Sequence, residues 1–222
     1  MRHLESAPLA MMLTLADSRL PVGGHVHSGG VEQAISDGDV TTVAALADFL
    51  RRRLLTSGLV AASIAAAVAE DALDVVAAQQ ETDARTPSSA ARAASYAQGR
   101  GMLRLARRMW PDDDWSAHTP ATHLPVIAGS IGARCRLSGF HTALVLAYTT
   151  MSGSATAGQR LLALDPADVA IVIAELGVDC ERVAAQAATG LADLSDPTMD
   201  VYAERHARRP MPLFMSLSLI HI

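Results

Sequence analysis

Apolar residues recur along most of this chain at the three- and four-residue spacing of a helix, and nowhere at the two-residue spacing of a strand. Pro8 to Ala16 reads as a short first helix. Helix resumes from Gly30 to Ile35 and closes at Gly38. Thr41 or Thr42 then caps a helix whose Val43, Leu46, Ala47, Leu50 and Leu54 share one face, with Arg51, Arg52 and Arg53 near its C-terminal end, where cations suit the helix dipole. Gly58 marks a break or kink ahead of an Ala-rich run from Leu59 to Val76. Thr86-Pro87 reads as a cap plus first-turn proline, opening a helix that runs to Met109 and stops at Pro111. Residues 111–125 form a loop. Two apolar helices follow, Leu124 to Arg136 and His141 to Leu164, the second with Gly153 and Gly158 as points of interruption. Asp165-Pro166 and Asp196-Pro197 repeat the cap-plus-proline signature and open helices over 165–190 and 196–208. In the first of these, Val169, Ile171, Val172, Ile173 and Leu176 cover more than one face, which predicts a central, buried helix. The pattern predicts an all-α, single-domain bundle of roughly eight to ten helices.

Composition narrows the chemistry. Of the 222 residues, 50% are hydrophobic but only 4% aromatic, so the core must be built from Ala, Leu, Val and Ile. All 18 basic residues are Arg. Without Lys, neither a phosphate loop of the Gly-Lys-Ser/Thr type nor a Schiff-base enzyme is available. A net charge of −5 argues against a general nucleic-acid binder. Cys135 and Cys180 lack Cys-x-x-Cys spacing and read as buried, reduced thiols ahead of a disulfide or metal pair. The N-terminus lacks the apolar core of a secretory leader, and no run of about 18 apolar residues is uninterrupted, so a cytoplasmic protein with no membrane partner is expected.

The helical pattern breaks most sharply over Leu15 to Glu32, where Pro21, Gly23, Gly24, His25, His27, Ser28, Gly29 and Gly30 crowd into ten residues. Each Gly weakens a helix by about 1 kcal/mol relative to Ala, so this segment is a shaped loop. His25 and His27 form an incomplete metal site, since a tight site takes three or four ligands. They serve either as weak metal candidates or as loop-shaping and partner-contact residues. Ser28 lacks the strand-to-helix Gly-x-Ser-x-Gly context of a nucleophile elbow. His118 and His123 flank a proline-containing loop and read as solvated, as does the run Asp112, Asp113 and Asp114. Arg100, Arg104 and Arg107 or Arg108 form a basic stripe, either a solvated face or a contact for an acidic protein. No nucleophile, base and orienting group can be assembled, which points away from an enzyme.

The loop also carries a resemblance. Leu15-Ala16-Asp17-Ser18-x-Leu20-Pro21-Val22-Gly23-Gly24, followed by His27-Ser28-x-Gly30-Val31-Glu32, closely resembles the N-terminal signature of the urease accessory protein F family. Gln98-Gly99-Arg100 and Gly158-Gln159-Arg160-Leu161-Leu162 are similar to later family motifs. The segment Asp200 to Ser216, with Glu204-Arg205-His206 and Leu213-Phe214-x-Ser216, resembles the family's ending.

The resemblance implies an all-α, non-enzymatic chaperone of nickel insertion into urease. It implies a homodimer that binds an accessory protein of type D or H, recruits the GTPase accessory protein G and docks on apo-urease, gating or coupling the GTPase step. The chain would hold no cofactor of its own, nickel being handled by the complex. By the same resemblance the partner-binding residues are Pro21, Gly23, Gly24, His27, Ser28, Gly30 and Glu32 in the loop and Arg100 in mid-chain. Glu204, His206, Phe214 and Ser216 complete the set, with Phe214 as an aromatic anchor. A helical adaptor unrelated to urease and a metal-dependent hydrolase using His25 and His27 are the competing readings.

Two departures from the family stand out. Ser154-Ala155-Thr156-Ala157 runs straight into Gly158 where the family carries an Arg-Leu-x-Pro-Leu-Gly-Gln stretch, so that stretch reads as shortened. The family-like domain spans 1–216, and residues 217–222 form an apolar tail, either a native extension or a non-native addition.

Overall fold

The computed structural model describes residues 8–18, 20, 27–193, 196–210 and 213. Among these residues there are ten α-helices and no strand. In chain order they are α1 (Pro8–Ala16), α2 (Val31–Ser36), α3 (Val43–Arg53), α4 (Leu59–Ala69), α5 (Val75–Ala84), α6 (Ser89–Met109), α7 (Leu124–Arg134), α8 (Gly139–Leu162), α9 (Pro166–Ala187) and α10 (Pro197–Ala207). A π-helical turn over Leu54–Gly58 joins α3 to α4, so the break expected at Gly58 is a local widening of a continuous helix.

Helices α4 and α8 make the centre, with α9 packed along both; α2 and α3 join α8 and α9 in one core cluster, α1, α6 and α7 form a second, and α10 touches both α2 and α6. Small residues dominate the contacts. Ala34, Ala62, Ala143, Ala147, Ala155 and Ala184 are all fully enclosed, alongside Leu46, Leu50, Leu54 and Ile64. With so few rings, helix axes must approach closely to exclude water. Two motif glycines show how. A Cβ at Gly158 would sit 2.6 Å from Leu46 Cδ1, so this residue lets α8 close on α3. A Cβ at Gly99 would overlap the Thr122 carbonyl oxygen, so Gly99 lets α6 lie against the segment entering α7. The expected interruptions at Gly153 and Gly158 do not occur; α8 runs through both, and through the Ser154–Ala157 departure.

Six of the described helices start at a side-chain cap. Thr42 Oγ1 accepts from the Ala45 N–H at 3.1 Å, Asp165 from Ala167 at 2.8 Å, and Asp196 from Thr198 at 3.0 Å. Two boundaries correct the sequence reading. The Ala-rich run does not reach Val76, because α4 ends at Ala69 and Asp71 takes a left-handed φ of 58°. Asp74 then caps α5, accepting from Ala77 at 2.7 Å. Helix α6 is capped by Ser88, not Thr86, whose carbonyl instead accepts from Arg92.

Helix α9 is one-sided rather than fully central. Val169, Val172 and Leu176 are buried, whereas Ile171 and Val178 are 57% and 63% exposed. The histidines expected in solvent are enclosed. His123 is stacked on Tyr96 with ring centroids 4.0 Å apart, its Nε2 lies 3.1 Å from Asp83, and its backbone N–H donates to Gln79 Oε1. His118 meets Ser130 at 2.9 Å. Of the Asp run, Asp113 pairs with Arg134, while Asp112 and Asp114 are exposed. Cys135 and Cys180 are free and buried, and burial pushes each thiol to about 11.

Gly99→Ala is expected to lower unfolding free energy by about 3 kcal/mol, because the new methyl meets backbone that cannot step aside. Urea unfolding checks this, and a change under about 0.5 kcal/mol would contradict the close approach.

Candidate functional site

The described end of the glycine loop is built on backbone that only glycine adopts easily. Gly29 and Gly30 have φ of 64° and 95°, and Gly30 leads directly into α2. This turn places Ser28 and Glu32 inside the protein, at 3% and 2% exposure, with His27 half-buried beside them. A carboxylate so enclosed needs donors. His206 Nε2 lies 2.8 Å from Glu32 Oε2, and the Leu213 N–H donates to Oε1 at 2.8 Å. Both donors come from the chain's C-terminal region, more than 170 residues away in sequence.

The rest of α10 repeats this arrangement. Arg205 bridges to Asp37 at 2.9 Å, and the Tyr202 hydroxyl donates to Asp39 at 2.7 Å while its ring lies 6.1 Å from that of Phe49. Burial and the neighbouring Asp39 push the Tyr202 hydroxyl up to about 12. At the start of the helix, Asp196 is gripped by Arg52 through two hydrogen bonds of 2.6 and 2.7 Å. Burial opposes ionisation of Asp196, but the Arg52 bonds outweigh it and hold the carboxyl below the ordinary range. On its other face Glu204 accepts from the Ala90 N–H at 3.0 Å, Ser88 Oγ at 2.8 Å and Ser89 Oγ at 3.0 Å. A carboxylate at a helix N-terminus meets unpaired N–H groups and the positive end of the dipole. Glu204 is accordingly held at about 2 by the Ala90 N–H and the two serine hydroxyls.

The sequence-derived residues thus divide by location. Glu32, Glu204 and His206 belong to one clasp joining α2, α6 and α10, with Ser28 and Gly30 in the turn beneath it. Arg100 stands apart on the exposed face of α6, in line with the exposed Arg104, Arg107 and Arg108. Pro21, Gly23, Gly24, His25, Phe214 and Ser216, and the 217–222 tail, lie outside the described residues. For the metal candidates, no group of three His, Cys, Asp or Glu suited to hold an ion occurs among the described residues. Sequence reading missed Asp37, Asp39, Tyr202 and the Arg52–Asp196 grip. The only local hint was Asp196 as a helix cap.

Against known proteins, a model of the UreF family matches residues 39–177. Urease accessory protein UreF of Mycobacterium sp. (strain JLS) is 60% identical over 208 residues, covering 94% of this chain and 99% of its own length. The proteins of the same name from Mycobacterium marinum (strain ATCC BAA-535 / M) and Mycobacterium tuberculosis (strain ATCC 25618 / H37Rv) are 60% and 58% identical with the same coverage. The chain belongs to the UreF family. The family match includes the α6 part of the clasp but stops short of the other two, since the glycine loop and α2 precede residue 39 and α10 follows residue 177. In this UreF-family chain the motif glycines Gly99 and Gly158 serve helix packing, whereas Glu32, Glu204 and His206 join distant segments.

Glu204 gives a pH signature. Its carboxyl lies below the ordinary 4.5, so its stabilising effect is present above that value and lost as pH falls towards about 2. The stability difference between the wild type and Glu204→Gln should be constant from pH 5 to 7 and shrink progressively below pH 4. A difference independent of pH between 2 and 6 would remove the ionised cap.

Proposed function

We propose that this chain is a non-enzymatic urease accessory protein acting in nickel insertion into apo-urease. The observation that carries this reading is 58–60% identity, over 94% of the chain, to proteins named urease accessory protein UreF. In this reading it works with an accessory protein of type D or H and with the GTPase accessory protein G, gating or coupling the GTPase step. It holds no cofactor of its own; the complex handles nickel. The setting is the cytoplasm. One helical run, Val43–Ala69, is long and apolar enough to cross a membrane, but over half of its most apolar window is buried against the rest of the fold, as in a core helix.

Three surfaces support partner binding. The clasp presents the glycine-loop turn and α10 side by side. The α6 stripe offers Arg100, Arg104, Arg107 and Arg108 to an acidic partner. Homodimerisation is assigned to α9, where Ile171 and Val178 lie seven residues apart, two helical turns, on an exposed face also carrying Ala167, Ala170 and Ala174. A two-fold dimer would bring the same face of each copy together.

Co-expression with the D-type protein and protein G, followed by size exclusion, tests the function. Co-elution with both is expected, and Arg100→Glu with Arg104→Glu should weaken the assembly at least tenfold. A chain that elutes alone, or whose gene deletion leaves urease active, would instead be an adaptor unrelated to urease. For the dimer, Ile171→Asp with Val178→Asp should shift sedimentation to the monomer; an unchanged dimer places the interface elsewhere.

A further inference from the structure

The three consecutive arginines ending α3 meet three different fates. Arg51 reaches Asp179 at 3.2 Å, and Arg52 grips Asp196. Arg53 turns inward, where its Nη1 donates to the Gly29 carbonyl at 2.8 Å. Gly29 makes this contact possible, because a Cβ there would lie 2.8 Å from Arg53 Cζ. Arg53 Nε is enclosed with no acceptor, and among the described residues no carboxylate forms an ion pair with this side chain. Burial pushes its guanidinium down to about 10, which leaves it charged at neutral pH. Arg53 is half-buried, and a cation drawn even partly out of water is normally paired with a counter-charge.

Arg53 lines a cavity of about 410 Å³. Its wall is largely apolar, including Val60, Ile64, Met102 and Leu146, with hydroxyls from Ser57 and Ser154. The other charges on the wall are mostly engaged. Arg85 pairs with Glu81 and Asp193, His206 with Glu32 and Asp196 with Arg52, and Asp200 accepts from the Ser88 N–H. Asp17 and His27 also line the cavity, and each has a partner of its own.

We propose that this cavity binds a small organic monocarboxylate, its carboxylate on the Arg53 guanidinium and its apolar body against the Val60, Ile64 and Leu146 wall. The charge count selects the class: one guanidinium without a carboxylate partner among the described residues matches one negative charge, whereas a dianion such as phosphate would enter a largely apolar chamber half neutralised. The planar guanidinium also suits a planar carboxylate, through N–H groups that Gly29 leaves unused.

The test titrates the full chain, exchanged into chloride buffer, with acetate, butyrate and phosphate at constant ionic strength. Saturable thermal stabilisation by the carboxylates is expected, stronger for butyrate, since a ligand that binds the folded state raises its stability with occupancy. Arg53→Met should weaken binding at least tenfold, and Arg53→Lys should retain part of it. Should Arg53→Met not fold, ¹⁵N-arginine spectra of the unaltered chain give the second reading, with one guanidinium shifting as butyrate saturates. Absence of saturable carboxylate binding, saturation by phosphate alone, unchanged affinity in Arg53→Met, or spectra in which no guanidinium moves would each overturn the proposal.

Discussion

Close approach between helices is the constraint on which this fold depends. A chain with three Phe, three Tyr and two Trp cannot fill wide gaps with rings, so its interior is closed by bringing backbones together over Ala and Gly. The gain per buried side chain is small for Ala, and stability must come from many tight contacts rather than a few large ones. Gly99 and Gly158 mark crossings where one added carbon would overlap a neighbour. Two of the motifs that carry family resemblance are therefore read most simply as packing requirements.

Helix α10 lies outside that regime. It buries only Met199 and Tyr202, too little apolar surface to fix an eleven-residue helix by packing alone. Polar contacts from four other elements hold it instead: Glu32 and the turn after α2, Arg52 on α3, and the first turn of α6. Directional contacts of this kind specify position more than they add stability, because each charge gives up hydration when it pairs. Their effect is to make α2, the first turn of α6 and α10 one surface.

Much of the fold was legible in the sequence, because its signals are local. The Asp-Pro pairs opened α9 and α10 where expected, and the apolar period delimited α1 at Pro8–Ala16. The errors share a cause. Thr86-Pro87 has the form of a helix start, yet Glu204 binds Ser88, Ser89 and Ala90 from 114 or more residues away and moves the cap to Ser88. His123 sits in a loop rich in polar residues, yet Gln79, Asp83 and Tyr96 from two other helices enclose it. The turn between α4 and α5 has neither Gly nor Pro, since Asp71 adopts the left-handed conformation itself. Glu32, Glu204 and His206 were marked as candidates, but their meeting depends on tertiary contacts that no spacing encodes.

The arginine triplet shows the same limit at the scale of one helical turn. Arg51, Arg52 and Arg53 are chemically identical, adjacent, and equally suited to the dipole at the end of α3. A helix advances about 100° per residue, so three neighbours must point in three directions. What each meets is decided by elements far away in sequence: α9 supplies Asp179, the start of α10 supplies Asp196, and the glycine loop supplies only a carbonyl. Composition counts three equal charges. The fold turns them into two ion pairs with buried aspartates and one half-buried cation, and the glycine loop, whose bare backbone can approach that cation, is the element that makes the difference.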